Sequence, residues 1–106
     1  MIYELREYTI KPGRMEECHA VFERSCLPAF DAVAIRMLGF WEPEPKDGTS
    51  FVYLVAFDDA AARERAWAAF KIEPNWVAAK TRMNGDFPWE KTAARVLAPT
   101  RYSPAR

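Results

Sequence analysis

The stretch Phe51-Val52-Tyr53-Leu54-Val55-Ala56-Phe57 decides the fold, because it is apolar at every position. A turn cluster over 46–50 precedes it, and Asp58 and Asp59 introduce a helix-forming run after it. An apolar run of this length between such boundaries predicts a short strand at the centre of a sheet. Since neither face of that strand tolerates water, both faces of the sheet require a cover.

The remaining elements follow on either side of this strand. Residues 2–10 are rich in β-forming side chains and end at the Lys-Pro-Gly turn of 11–13, which predicts a first strand. Over 14–33 apolar residues recur every three or four positions, so we expect an amphipathic helix, which Pro28 kinks or breaks near 24–25. The other predicted elements are a strand over 36–42 with Gly39 at a bulge or close approach, a helix from 58 or 59 to about 70, a helix over 75–82 and a strand over 90–98.

The order β-α-β-β-α-β is that of the ferredoxin-like fold, an α+β architecture. It predicts a single domain over residues 1–106, with an antiparallel sheet in strand order 4-1-3-2 and the helices on one face. The other face would then expose an apolar patch of a kind that soluble monomers seldom show. We therefore expect a homodimer in which two sheets close a barrel around a shared lumen.

The composition narrows the classes of partner. The chain has 106 residues with fifteen acidic and fifteen basic side chains, which gives no electrostatic reason to expect a nucleic-acid or anionic-membrane partner. No leader-like segment precedes Ile2 and no apolar run approaches membrane-spanning length, which favours a cytoplasmic protein. Cys18 and Cys26 lie about 12 Å apart along one predicted helix, so we expect them to be reduced and buried.

A candidate ligand site lies on the first strand. Glu4, Arg6 and Tyr8 share one of its faces, and we expect that face to line the barrel lumen, because charges suit a lumen better than a helix-packed face. Framed by Trp41 and Tyr53, such a lumen could bind and polarise a small aromatic or carbonyl compound, with or without converting it. One alternative is that Glu4 and Arg6 pair with their own sheet neighbours, or across the two-fold axis, and only fix the register of the dimer. Another is a solid barrel that serves as a non-enzymatic protein-interaction module.

Other chemistries lack their residue patterns. His19 is the single histidine, with Glu16 and Glu23 at helical spacing, and we expect it to contact a carboxylate. The chain has no CxxC or HxxxH spacing, so no metal site is predicted. It also has no phosphate-binding glycine loop and no nucleophile elbow, so no cofactor is predicted and no catalytic residue is assigned.

Several segments in a fixed order carry a family resemblance. They are Met1–Arg6, Tyr8–Gly13, Leu38–Trp41, Glu64–Trp67 with Phe70, Pro74 and Trp76, and Pro99–Pro104. Together they resemble the NIPSNAP family over nearly the whole chain. The resemblance implies a dimeric α+β barrel, and roles of the kind proposed for that family in vesicle trafficking, mitochondrial quality control and small-molecule metabolism. Where similar members have a glycine before the second strand this chain has Ala34-Ile35, so we expect a different turn there.

Overall fold

The computed structural model describes residues 1–106 and forms one four-stranded antiparallel sheet. Across the sheet, the second strand of the chain is followed by the third, the first and the fourth, which confirms the predicted fold class and strand order. Every predicted element is present, with ends that differ from the prediction by no more than one or two residues. The strands are β1 (Ile2–Ile10), β2 (Arg36–Trp41), β3 (Ser50–Phe57) and β4 (Trp89–Leu97), and the helices are α1 (Met15–Val21), a π-helical turn (Phe22–Cys26), α2 (Leu27–Ala32), α3 (Ala60–Lys71) and α4 (Pro74–Met83).

The first helical region passes through a π-helical turn at the place where the sequence predicts a kink. Pro28 has no N–H, so the carbonyl of Arg24 lacks its usual helical donor. The chain instead adopts the wider π geometry, in which the N–H of Leu27 donates to the carbonyl of Phe22. Phe22 and Cys26 are both buried in this turn, which joins α1 to α2 without interruption. Cys18 and Cys26 are free and buried, as predicted.

The two faces of the sheet differ in what covers them. Arg6 pairs with Tyr53 and Tyr8 with Phe51, so these side chains share the face on which the helices pack. The opposite face has no covering element, and we call it the open face. It carries Leu5, Val52, Leu54 and Trp41, and Trp41 is 51% exposed. None of the helices combines the length and the apolar character needed to cross a bilayer.

Gly39 lies at a bulge in β2, as its position in the sequence predicts. The pairing register between β2 and β3 shifts between Met37 and Gly39, after which Phe40 pairs with Tyr53. The indole of Trp41 folds over Gly39 so closely that a Cβ there would clash with the ring. The bulge therefore directs Phe40 toward the helices and Trp41 toward the open face.

The turn between α2 and β2 adopts a left-handed conformation although it has no glycine. Ala34 has a φ of 60°, its N–H donates to the carbonyl of Asp31, and the N–H of Ile35 donates to that of Phe30. The Cβ of a left-handed alanine lies too close to the carbonyl oxygen that follows, which costs about 1–2 kcal/mol. The chain therefore keeps this turn at the expense of local strain.

Candidate functional site

The charged face of β1 lies under the helices and not on the open face. Glu4 is fully buried, and its Oε1 accepts hydrogen bonds from Arg63 Nε at 2.6 Å and from Trp67 Nε1 at 2.9 Å. Arg63 and Trp67 both belong to α3. The expectation that Glu4, Arg6 and Tyr8 line a lumen between two sheets is therefore wrong. It fails because α3 itself brings a guanidinium and an indole N–H to the carboxylate and so satisfies its charge beneath the helices.

Arg6 completes this cluster from the strand. Its Nη1 donates to Glu4 Oε2 at 2.8 Å, so one carboxylate holds two guanidinium groups. The Arg6 guanidinium carbon also lies 4.9 Å from the centre of the Trp67 ring, within the range of a cation–π contact. Its Nε is buried without a hydrogen-bond partner. Arg6 is thus fixed on one side by Glu4 and on one face by Trp67.

The ionisation of the cluster follows from these contacts. Burial alone would raise the pKa of Glu4, but the hydrogen bonds from Arg63, Trp67 and Arg6 outweigh it and hold the pKa below its ordinary value. Burial would lower the pKa of Arg6, yet the phenols of Tyr53 and Tyr8, which are negatively charged at the high pH where an arginine titrates, and the Glu4 carboxylate raise that pKa. Glu4 and Arg6 are therefore both charged at neutral pH.

Two buried tyrosines lie beside Arg6. The hydroxyl oxygens of Tyr8 and Tyr53 are 3.3 Å apart, and both side chains are almost entirely buried. Burial raises the pKa of both phenols, and the nearby Arg6 charge offsets only part of that rise. Both hydroxyls therefore stay protonated at neutral pH, and they can donate hydrogen bonds but cannot act as bases.

These polar groups face a cleft of about 600 Å³ between the sheet and the pair α3 and α4. Arg6, Tyr8, Tyr53 and Arg63 line its polar part. Stacked ring pairs, Phe70 with Trp76 at 5.1 Å and Phe87 with Trp89 at 5.5 Å, contribute flat aromatic walls. A partly enclosed apolar cavity with a few convergent polar groups is the usual form of a small-molecule site.

The structure brings together four of the five residues that the sequence assigns to ligand binding. Arg6, Tyr8 and Tyr53 line the cleft, and Glu4 lies directly behind Arg6. Trp41 is separated from them because it lies on the open face. Its expected place beside Tyr53 is taken by Phe40, whose ring stacks on Tyr53 at 5.4 Å.

Arg63 and Trp67 belong to the site, although the sequence alone does not assign them to it. They are four positions apart on α3 and so lie on one face of that helix. This spacing is a signal, but it is a weak one, because an indole on a sheet-facing helix usually fills core space. Their common partner Glu4 is 59 residues or more away in the sequence, so only the tertiary fold shows that the three belong together.

The single histidine lies outside the cleft. His19 Nε2 is 2.9 Å from Oε2 of Glu42, which follows β2, so the predicted contact with a carboxylate is present. The partner differs from the two helical neighbours, Glu16 and Glu23, that the spacing suggests. Because the contact bridges α1 and the end of β2, it ties the first helix to the sheet. No three His, Cys, Asp or Glu side chains are grouped so that they could hold a metal ion.

The sequence of the chain identifies its family. The family model described as NIPSNAP matches residues 3–104, which is nearly the whole chain. The chain belongs to the NIPSNAP family. This match confirms the resemblance carried by the segments quoted above. Among curated protein sequences, none matches this chain.

Solved structures place other NIPSNAP proteins beside this one. An uncharacterized NIPSNAP domain protein from Burkholderia xenovorans is 25% identical, with coverage of 98% of this chain and 99% of that chain and a TM-score of 0.82. A NIPSNAP family protein from Agrobacterium tumefaciens is 20% identical, with coverage of 99% and 98% and a TM-score of 0.86. SnoaB, a cofactor-independent oxygenase from Streptomyces nogalater, is 17% identical, with coverage of 99% and 97% and a TM-score of 0.66. The Agrobacterium protein and SnoaB are each less than 25% identical to this chain, so their similarity establishes that they share its fold.

Proposed function

We propose that this NIPSNAP protein is a homodimer in which each protomer binds a small aromatic carbonyl compound in the cleft between its sheet and its helices. The observation that carries the proposal is the convergence of Arg6, Tyr8 and Tyr53 on one end of a cleft with aromatic walls. A guanidinium and phenol hydroxyls suit a carbonyl oxygen, and stacked rings suit the flat remainder of such a compound. The proposed site therefore lies within one protomer, whereas the sequence predicts a site between two protomers.

The polar end of the cleft supports one class of chemistry. A fixed positive charge and protonated hydroxyl donors stabilise negative charge that develops on a carbonyl or phenol oxygen. Tyr8 and Tyr53 keep raised pKa values because they are buried, so they supply donors and not bases. This arrangement suits cofactor-independent conversion of an electron-rich aromatic substrate, and SnoaB, described as a cofactor-independent oxygenase, shares the fold.

The open face supports the homodimer. Leu5, Val52 and Leu54 lie side by side on neighbouring strands and leave apolar surface in contact with water, and Trp41 extends that surface at 51% exposure. A second copy of the same face matches it in size and apolar character, because a two-fold axis pairs identical patches. The proposed dimer therefore pairs sheet with sheet and leaves both clefts on the outside.

Calorimetric binding of two probes with the same ring system, neutral 2-acetylnaphthalene and anionic 2-naphthoate, tests the cleft. We expect at least one probe to bind with a Kd of about 10–100 μM, which is typical of a ligand of this size. Ala68→Trp should fill the cleft and weaken binding at least tenfold, because Ala68 lines the cleft on the exposed side of α3.

Ala61→Trp is the matched control, since Ala61 is exposed on the same helix and does not line the cleft. It should leave the Kd within about twofold, and both variants lose the same intrinsic helix propensity. If neither probe binds at 1 mM, or if both variants bind equally well, the cleft is not a ligand site. The alternative of a protein-interaction module would then be favoured.

A further inference from the structure

The end of the cleft that holds Arg6 carries more positive charge than the protein neutralises. Arg6 and Arg63 share the single carboxylate of Glu4, through Nη1 of Arg6 at 2.8 Å and Nε of Arg63 at 2.6 Å. Glu4 is inaccessible to solvent, while the two arginine side chains keep 22% and 30% of their surface exposed, and both line the cleft. One guanidinium charge therefore remains uncompensated at the inner end of the cleft.

The arginines also keep unused hydrogen-bond donors. A guanidinium has five N–H groups, and each of these two arginines donates one side-chain hydrogen bond, in both cases to Glu4. Arg63 uses Nε alone, so the N–H groups on both of its terminal nitrogens are free for another acceptor. Arg6 donates through Nη1, so its Nη2 is also free, whereas its unpartnered Nε is too deeply buried for a ligand to reach. Free donors on two adjacent guanidinium groups form a favourable receptor for the paired oxygens of a carboxylate.

The other charged groups in the cleft do not cancel this excess. Glu64 and Lys71 also line it, but both are exposed on α3 and oppose one another in sign. Solvent screens such exposed charges, whereas Arg6 lies against the Trp67 ring and is mostly buried. The Arg6 guanidinium lies over Trp67, which leaves its outer face and edge as the side that a ligand can approach.

We propose that the ligand of this cleft is a planar aromatic carboxylate, which Arg63 and Arg6 hold by its carboxylate group while its ring lies against the aromatic walls. Glu4 is a positioning residue in this scheme, because it fixes both guanidinium groups from behind without reaching the cleft itself. The inference rests on the proposed function, since it names the class of compound that the same cleft binds.

The experiment compares 2-naphthoate with 2-acetylnaphthalene by calorimetry at pH 7, at low and at high salt. The two probes share a ring system and a carbonyl and differ in charge. We expect the acid to bind at least tenfold more tightly than the ketone at low salt, and the difference to shrink as the salt concentration rises. Equal affinity for the two probes would overturn the carboxylate inference and leave the proposed function standing. Binding of neither probe would overturn the proposed function itself.

Variants then test whether Arg63 is responsible for the preference for the acid over the ketone. Arg63→Ala should abolish the preference for the acid, and Arg63→Lys should restore part of it, because lysine returns the charge without the fork of donors. Arg65→Ala is the matched control, since Arg65 lies exposed on the same helix away from the cleft and its loss removes the same charge. A preference unchanged in Arg63→Ala would contradict the assignment. If that variant unfolds, Arg63→Lys and the salt dependence of the wild type decide the question.

Discussion

The two faces of the sheet are built from alternate residues of the same strands, and each includes side chains that such a face seldom carries. Under the helices lies a carboxylate with two arginines and a pair of tyrosine hydroxyls. On the open face Leu5, Val52 and Leu54 are partly exposed to water. A sheet normally buries its apolar face and exposes its charged face to solvent.

The difference shows that each face is incomplete in its own way. The helix-covered face buries charge because the charge is paired and hydrogen-bonded, and it leaves room for a ligand where the pairing is unequal. The open face exposes apolar surface that a second copy of the chain would cover. A substitution on one face should therefore change the property of that face and leave the other face intact.

The largest expected effect comes from placing a charge on the open face. In Leu54→Glu the two-fold axis would bury two carboxylates in the sheet-to-sheet contact, each at a cost of several kcal/mol. The dimer dissociation constant should rise at least about 1000-fold, which corresponds to about 4 kcal/mol. Light scattering after size exclusion should report a dimer for the wild type and a monomer for the variant.

A reversal on the exposed side of α4 provides the control for that variant. Lys80→Glu alters the charge of an exposed residue far from the open face and should leave the dimer intact. Circular dichroism should show that Leu54→Glu remains folded, because Leu54 is only half-buried in the protomer. A monomeric wild type, or a Leu54→Glu variant that remains a dimer, would contradict sheet-to-sheet pairing.

The next effect is on the other face of β1. Glu4→Gln removes the carboxylate charge and leaves two guanidinium groups next to each other. We therefore expect the free energy of unfolding, measured by urea denaturation, to fall by about 3 kcal/mol. Glu23→Gln is the control for the loss of one carboxylate charge, because Glu23 is exposed in the π-helical turn and makes no side-chain hydrogen bond. It should change the free energy of unfolding by no more than about 0.5 kcal/mol. Equal effects of the two substitutions would mean that Glu4 does not organise the cluster.

The dependence on pH sharpens the same comparison. The pKa of Glu4 is lowered in the folded protein, so its contribution to stability is complete above the unfolded value of about 4.3 and is lost as the pH falls through the folded value. The difference in the free energy of unfolding between wild type and Glu4→Gln should therefore be largest at pH 7 and should shrink below about pH 4. The pKa values of Asp86 and Asp47 are also lowered, but both residues occur in both proteins, so their contributions to stability cancel in this difference. A gap that stays constant down to pH 3 would contradict the charge pairing.

The smallest expected effect is a gain in stability outside both faces. Ala34→Gly relieves the left-handed strain before β2 and gives up some of that benefit through the greater flexibility of an unfolded glycine. We expect a net gain of about 0.5–1 kcal/mol in the free energy of unfolding. Ala78→Gly, at an exposed position inside α4, should instead lose about 0.5–1 kcal/mol. A loss in both variants would show that Ala34 is unstrained.

The sequence predicts the strands and helices well because each has a clear period and clear boundaries. The all-apolar run of Phe51–Phe57 fixes the centre of the sheet, and Pro28 marks the place where the helix changes to π geometry. The strand order follows from the sequence of elements. These features depend on local residues, which one chain displays in full.

The face of β1 could not be assigned in this way. A period of two shows that Glu4, Arg6 and Tyr8 point the same way, but it does not show which side the helices occupy. That depends on Arg63 and Trp67, which meet Glu4 only in the tertiary structure. Trp41 is separated from these residues for a related reason, because the bulge at Gly39 moves each later residue of β2 to the other face.

The central claim, that the ligand site lies under the helices and not between the sheets, has a direct test in the four tryptophans of the chain. Trp67, Trp76 and Trp89 line the cleft, and Trp41 lies on the open face. Their indole N–H signals can be assigned by single Trp→Phe variants and followed by nitrogen-15 NMR during a titration with 2-naphthoate. The account predicts that the signals of Trp67, Trp76 and Trp89 shift while that of Trp41 stays in place. A shift of the Trp41 signal with the other three unchanged would contradict it.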